Sequence, residues 1–159
     1  MILVIGYGNP LRTDDAIGQR IAEIMEHRLS YEAVKVTVAY QLTPEMVERI
    51  RKSTLVVFID ARVGATSGRV IWEFVEPHPE AELFTHHVSP GALLGAAHKL
   101  YGANPTGILI SITGADFEFG SDLSPELKRM LPSIADQIES IIRTNLTLQT
   151  VHWEESGHA

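Results

Sequence analysis

Three segments of this chain carry side chains able to do chemistry. The first is GYGNPLRTDDAIG (residues 6–18), where Asp14 and Asp15 stand at the mouth of an expected helix. One aspartate there is explained by capping, because a carboxylate accepts from free helix amides and is favoured by the dipole. Two in succession are not, so capping falls to Asp14 and chemistry to Asp15. The second is VVFIDA, in which Asp60 ends a wholly apolar run. A charge buried there without a partner is costly, so Asp60 lies at a surface or beside a partner. The third is THHVSPGALL, with His86 and His87 just ahead of a helix start. Neutral imidazole is a ligand for zinc, nickel or copper. Two carboxylates and one imidazole make either an open three-ligand metal site or a metal-free acid–base site; spacing does not separate the two.

Other chemistries are excluded or disfavoured. There are no cysteines, which removes thiol catalysis, disulfides and thiolate metal sites. Gly6 and Gly8 match the first glycines of a dinucleotide turn, but Leu11 stands at the third position and Pro10 stiffens the loop. No Gly-Lys-Ser/Thr phosphate loop follows, and no serine sits in a nucleophile elbow. His27, His78, His98, His152 and His158 have no ligand spacing, and Met25, Met46 and Met130 read as core.

The elements that must position these residues follow from periodicity. Residues 2–5 and 55–59 are apolar runs of the kind found in central parallel strands. Residues 34–39 alternate, and 70–75 reads as a strand, with an edge position expected; 107–112 is a further apolar strand. Helices are expected from about 14 to 29, from a Thr43 cap with Pro44 to about 52, from a Ser89 cap with Pro90 to Tyr101 before Gly102, and from Ser124–Pro125 onward. Pro132 is expected to kink or split the last of these. Segment 80–88 reads as loop. Alternation of strands and helices predicts an α/β fold: one domain over residues 1–148, a twisted, mostly parallel sheet of about five strands with helices on both faces. Residues 149–159 show no periodicity and are expected to form a mobile tail. In such sheets ligands bind beyond the carboxyl ends of the strands, which is where Asp15, Asp60 and the histidine pair fall.

The chain has 159 residues, 13 Lys+Arg against 20 Asp+Glu, and a net charge of -7. Without a basic stripe, nucleic acid is not an expected partner. The acidic balance suits a basic tail or a metal-bearing partner. No apolar run is long enough to span a bilayer, and the opening MILVIGYG lacks the basic start of a leader, so a cytoplasmic protein is expected.

Taken in order, GYGNPLRTDDAIG, QLTPEM, VVFIDA and THHVSPGALL resemble the hydrogenase maturation endopeptidases, and LSPEL fits as well. The likeness runs from residue 2 to about residue 140. It implies a twisted, largely parallel sheet between helices. It also implies an aspartyl-type endopeptidase that activates a nickel–iron hydrogenase by cutting the C-terminal extension from its large-subunit precursor. By motif, the family's acid, aspartate and histidine fall on Asp15, Asp60 and His86, with His87 as the alternative. Many members carry Glu where this chain has Asp15. The resemblance implies that nickel arrives with the substrate and is recognised by these side chains; zinc or cadmium are ions expected to substitute in crystals. The competing expectations are a non-catalytic nickel-binding maturation chaperone and, with less support, a nucleotide-binding module.

Overall fold

The computed structural model describes residues 1–30, 33–79 and 87–157, the side chains of 151–156 excepted. Five strands form one sheet: β1 (Ile2–Tyr7), β2 (Val34–Ala39), β3 (Leu55–Val63), β4 (Val70–Phe74) and β5 (Thr106–Gly114). Their order is β2-β1-β3-β5-β4. The β1–β2, β1–β3 and β3–β5 pairs are parallel, and β4 closes the edge antiparallel to β5. The α/β class and the mostly parallel sheet expected above are what is found, and β4 is an edge strand, with β2 at the opposite edge.

Strand alternation splits the apolar residues between two layers. Val4, Leu55, Val57, Ile59, Ile108 and Ile110 face a core shared with α1 (Ile17–Arg28) and α4 (Pro125–Ser156). Leu3, Ile5, Val56 and Phe58 face a second core shared with α2 (Val47–Ile50) and α3 (Pro90–Tyr101). Both faces of the central strands are therefore covered, which is why their sequences are almost continuously apolar.

Local chemistry sets the helix ends. Ser89 caps α3, its hydroxyl accepting from Ala92 N at 3.1 Å, and Gly102 ends it at φ 68. The helix begun by Thr43 is shorter than expected: a 3-10 turn, Pro44–Met46, passes into the four-residue α2. Thr43 gives no side-chain cap; its hydroxyl donates to the Glu45 carboxylate. Pro132 does not split α4, which is assigned as one helix with the proline inside it. That helix continues to Ser156, through most of the segment expected to lack regular structure, and Gln149 donates from Nε2 to Thr54 O at 3.0 Å. Among the described residues, no helix is long and apolar enough to cross a membrane.

Candidate active site

The chain runs from β1 through α1 to β2 on one side, then returns to place β3 on the other side of β1. The carboxyl ends of β1 and β3 thus flank the point where strand order reverses, the usual ligand crevice of an open α/β sheet. β1 leads there into a loop, a 3-10 turn (Thr13–Ala16) and α1. This helix approaches β1 closely: a Cβ on Gly6 would lie 2.2 Å from Gly18 O, so the helix could not come so near with a larger residue at Gly6.

Asp15 belongs to that turn and is partly buried. Its Oδ2 accepts from Asn9 N at 2.7 Å, so the loop folds back onto the carboxylate. The fold-back passes through Gly8 at φ 147, where a Cβ would lie 2.0 Å from Asp15 O. Only glycine meets both requirements. Gln19 of α1 fixes the start of the same loop, its Nε2 donating to Gly8 O at 2.9 Å and Ala39 O at 2.7 Å.

Asp60 does not terminate its strand. β3 runs on to Val63, because β5 accompanies it, with Asp60 opposite Ser111 and Val63 opposite Gly114. The strand that gives out is β1, whose last pair with β3 is Gly6 with Ile59. Asp60 is therefore the residue at which β3 loses a neighbour on one side. Its Oδ1 accepts from Ala61 N at 2.7 Å.

The register also brings in a residue that sequence reasoning missed. Tyr7 is one step beyond Gly6, as Asp60 is one step beyond Ile59, and both lie on the face carrying Leu3, Ile5, Val56 and Phe58. The Tyr7 hydroxyl donates to the Asp60 carboxylate. Burial, and then the charges of Asp60 and Asp15, hold the phenol far above its ordinary range, so it stays protonated. The signal available in sequence was the two-residue alternation Leu3, Ile5, Tyr7 leading into a site. Burial likewise pushes Asp60 up to about 6; the bonds from Ala61 and Tyr7 oppose this, and the nearby Asp15 charge adds to it. Asp15 and Asp60 thus feel one another electrostatically across the crevice.

Asp14, assigned to capping from the sequence, does something else. It caps neither the 3-10 turn nor α1, both of which lack a side-chain cap. Fully buried, it accepts from Ser124 N at 2.8 Å, Ser124 Oγ at 3.0 Å, and the amides of Ala115 and Asp116 at 3.1 Å each. Burial alone would raise its pKa, but these bonds outweigh it and hold the carboxyl below the ordinary range. The neighbouring Thr13 donates from Oγ1 to Glu118 O at 2.7 Å at a positive φ of 48, and Arg12 forms an isolated bridge to Gly120.

His86 lies outside the described residues. His87 is described and exposed, two residues before the Ser89 cap. Since α3 leads down to the start of β5, its first residues stand toward the carboxyl edge of the parallel strands. Among the described residues, no group of three or more His, Cys, Asp or Glu is close enough to hold a metal ion. The two carboxylates supply hard oxygen donors. His27 and His98 are exposed on their helices.

No family model matches the chain. It is 28% identical over 153 residues to the hydrogenase 2 maturation protease of Escherichia coli strain K12, covering 89% of this chain and 90% of that protein. The hydrogenase maturating endopeptidase HybD from E. coli superposes with a TM-score of 0.71 at 26% identity, covering 91% and 93% of the two chains. A [NiFe] hydrogenase maturation protease, HycI from Thermococcus kodakarensis, shares the fold at TM-score 0.69 and 23% identity, covering 89% and 92%.

Proposed function

We propose that this chain, similar over most of its length to hydrogenase maturation endopeptidases, acts as one of them and removes the C-terminal extension of a nickel-loaded nickel–iron hydrogenase large-subunit precursor. The observation that carries this reading is the pair formed by Asp15 and Asp60 at the strand-order reversal, with Asp60 pushed up to about 6. Near neutral pH such a pair offers, in Asp60, a carboxyl that exchanges its proton readily beside a second carboxylate. That is the equipment for activating water and protonating a leaving amine. Nickel enters as the substrate's cargo. Carboxylate oxygens from Asp15 and Asp60, with an imidazole from His86 or alternatively His87, suit a divalent ion of this kind. The cation would orient the precursor and add its charge to polarise the scissile carbonyl. The surroundings fit a large protein substrate, since the carboxyl edge bears exposed Leu11, Tyr40 and Phe119.

The test is incubation of the protein with nickel-loaded precursor, followed by gel electrophoresis and mass analysis of the precursor's C-terminus. A shortened large subunit and a released peptide are expected, with loss of both in Asp15→Asn and Asp60→Asn. Binding of the precursor without shortening would replace the peptidase with a maturation chaperone. His86→Ala and His87→Ala, measured separately, assign the third ligand.

A further inference from the structure

Resting on that reading of the site, we propose that Asp14 is its positioning residue: a buried carboxylate that fixes the Asp15 segment against the loop following β5 and the start of α4. Four donors from three residues converge on it: Ala115 and Asp116 just past the end of β5, and Ser124 just ahead of Pro125. Asp14 N in turn donates to Asp116 O at 2.9 Å, so backbone and side chain grip the same loop. The flanking residues add Thr13 N to Gly120 O at 3.2 Å and Gly120 N to Leu11 O at 3.0 Å. Asp15 is the next residue, and among the described residues its own carboxylate is held by one backbone amide, that of Asn9. Its location is therefore set from the Asp14 side. A carboxylate is required because its hydrogen-bond partners among the described residues are all donors, and an amide would turn its own NH2 toward one of them. Gly114 at the end of β5 leaves the carboxylate its place, since a Cβ there would lie only 2.6 Å from Asp14 Cβ.

The test compares the full-length protein with Asp14→Asn and with Ser124→Ala, which removes only the hydroxyl donor. Amide hydrogen exchange is read at Asn9, whose N–H reports the Asp15 contact, and at Val57, fully buried in β3. In Asp14→Asn, exchange at Asn9 should quicken by at least about tenfold while Val57 stays within about twofold. Precursor processing, as kcat/KM, should fall by about tenfold or more, the scale expected for a misplaced group. Ser124→Ala should move Asn9 in the same direction by less, and it decides the question if Asp14→Asn does not fold. Equal quickening at Asn9 and Val57 would reduce Asp14 to a stabilising role, and an unchanged Asn9 would overturn the proposal. A parent protein that cuts no precursor would sink the peptidase reading alone, because the exchange comparison still judges Asp14.

Discussion

Asp60→Asn separates the cost of the site from its use. The folded state holds the Asp60 carboxyl at about 6 against an ordinary 3.8, chiefly through burial. At about 1.4 kcal/mol per unit, ionising this group in the fold costs up to about 3 kcal/mol more than in the unfolded chain. The folded state binds the proton more tightly, so between the two values it holds more protons than the unfolded state. Stability from this group is thus fully present below 3.8 and is lost as pH rises through about 6. Asparagine cannot ionise, yet its Oδ1 can still accept from Ala61 N and the Tyr7 hydroxyl. The variant should therefore be at least as stable as the parent at pH 7.5, by an amount approaching about 2 kcal/mol after allowance for partial solvent access. The difference between the two proteins should vanish near pH 4. Urea unfolding at pH 4, 5, 6 and 7.5 measures this, and subtracting parent from variant cancels the opposite slope contributed by Asp14. Processing of the precursor by the same variant should be abolished. A variant less stable than the parent at pH 7.5 would refute the burial argument, and one that cuts normally would refute the functional one.

Tyr7→Phe removes the donor to Asp60, one of the bonds that restrain its pKa; the Asp60 titration should move up in carbon-detected NMR, with a stability loss of about 1 kcal/mol. Gly8→Ala places a Cβ against Asp15 O at a φ of 147; destabilisation above about 2 kcal/mol is expected by chemical denaturation, with impaired processing even where the variant is folded. Ser89→Ala deletes the α3 cap and should cost about 1 kcal/mol, read as a modest fall in Tm by calorimetry. Acid unfolding of the parent should show the reverse sign at Asp14, whose lowered pKa lends stability above the ordinary aspartate range that disappears as pH drops below it.

Much of the architecture was legible because it is written locally. Apolar runs marked β1, β3 and β5, and the Ser89–Pro90 start and Gly102 stop of α3 are short-range signals whose physics involves only neighbouring residues. What was not legible depends on register and on partners distant in sequence. Asp60 looked like a strand end because the apolar run stops there, whereas β5 keeps β3 extended for three further residues. Tyr7 joined the site only once Gly6 was seen paired with Ile59. Asp14 looked like a cap because its partners, Ala115, Asp116 and Ser124, lie about a hundred residues away. Of the two adjacent aspartates, Asp14 is the one spent on buried hydrogen bonds.

The last helix links the two poles of the molecule. It starts beside Ser124, gripped by Asp14 at the working edge, and reaches Gln149, which touches Thr54 just ahead of β3. At about 1.5 Å per residue those points are roughly 37 Å apart. Met1, whose carbonyl accepts from Thr54 N at 2.8 Å, sits at the same far pole. A dye, an affinity handle or a surface linker attached near Met1 or beyond Gln149 would therefore hang opposite the crevice, leaving a bulky folded client free to approach while the enzyme is tethered.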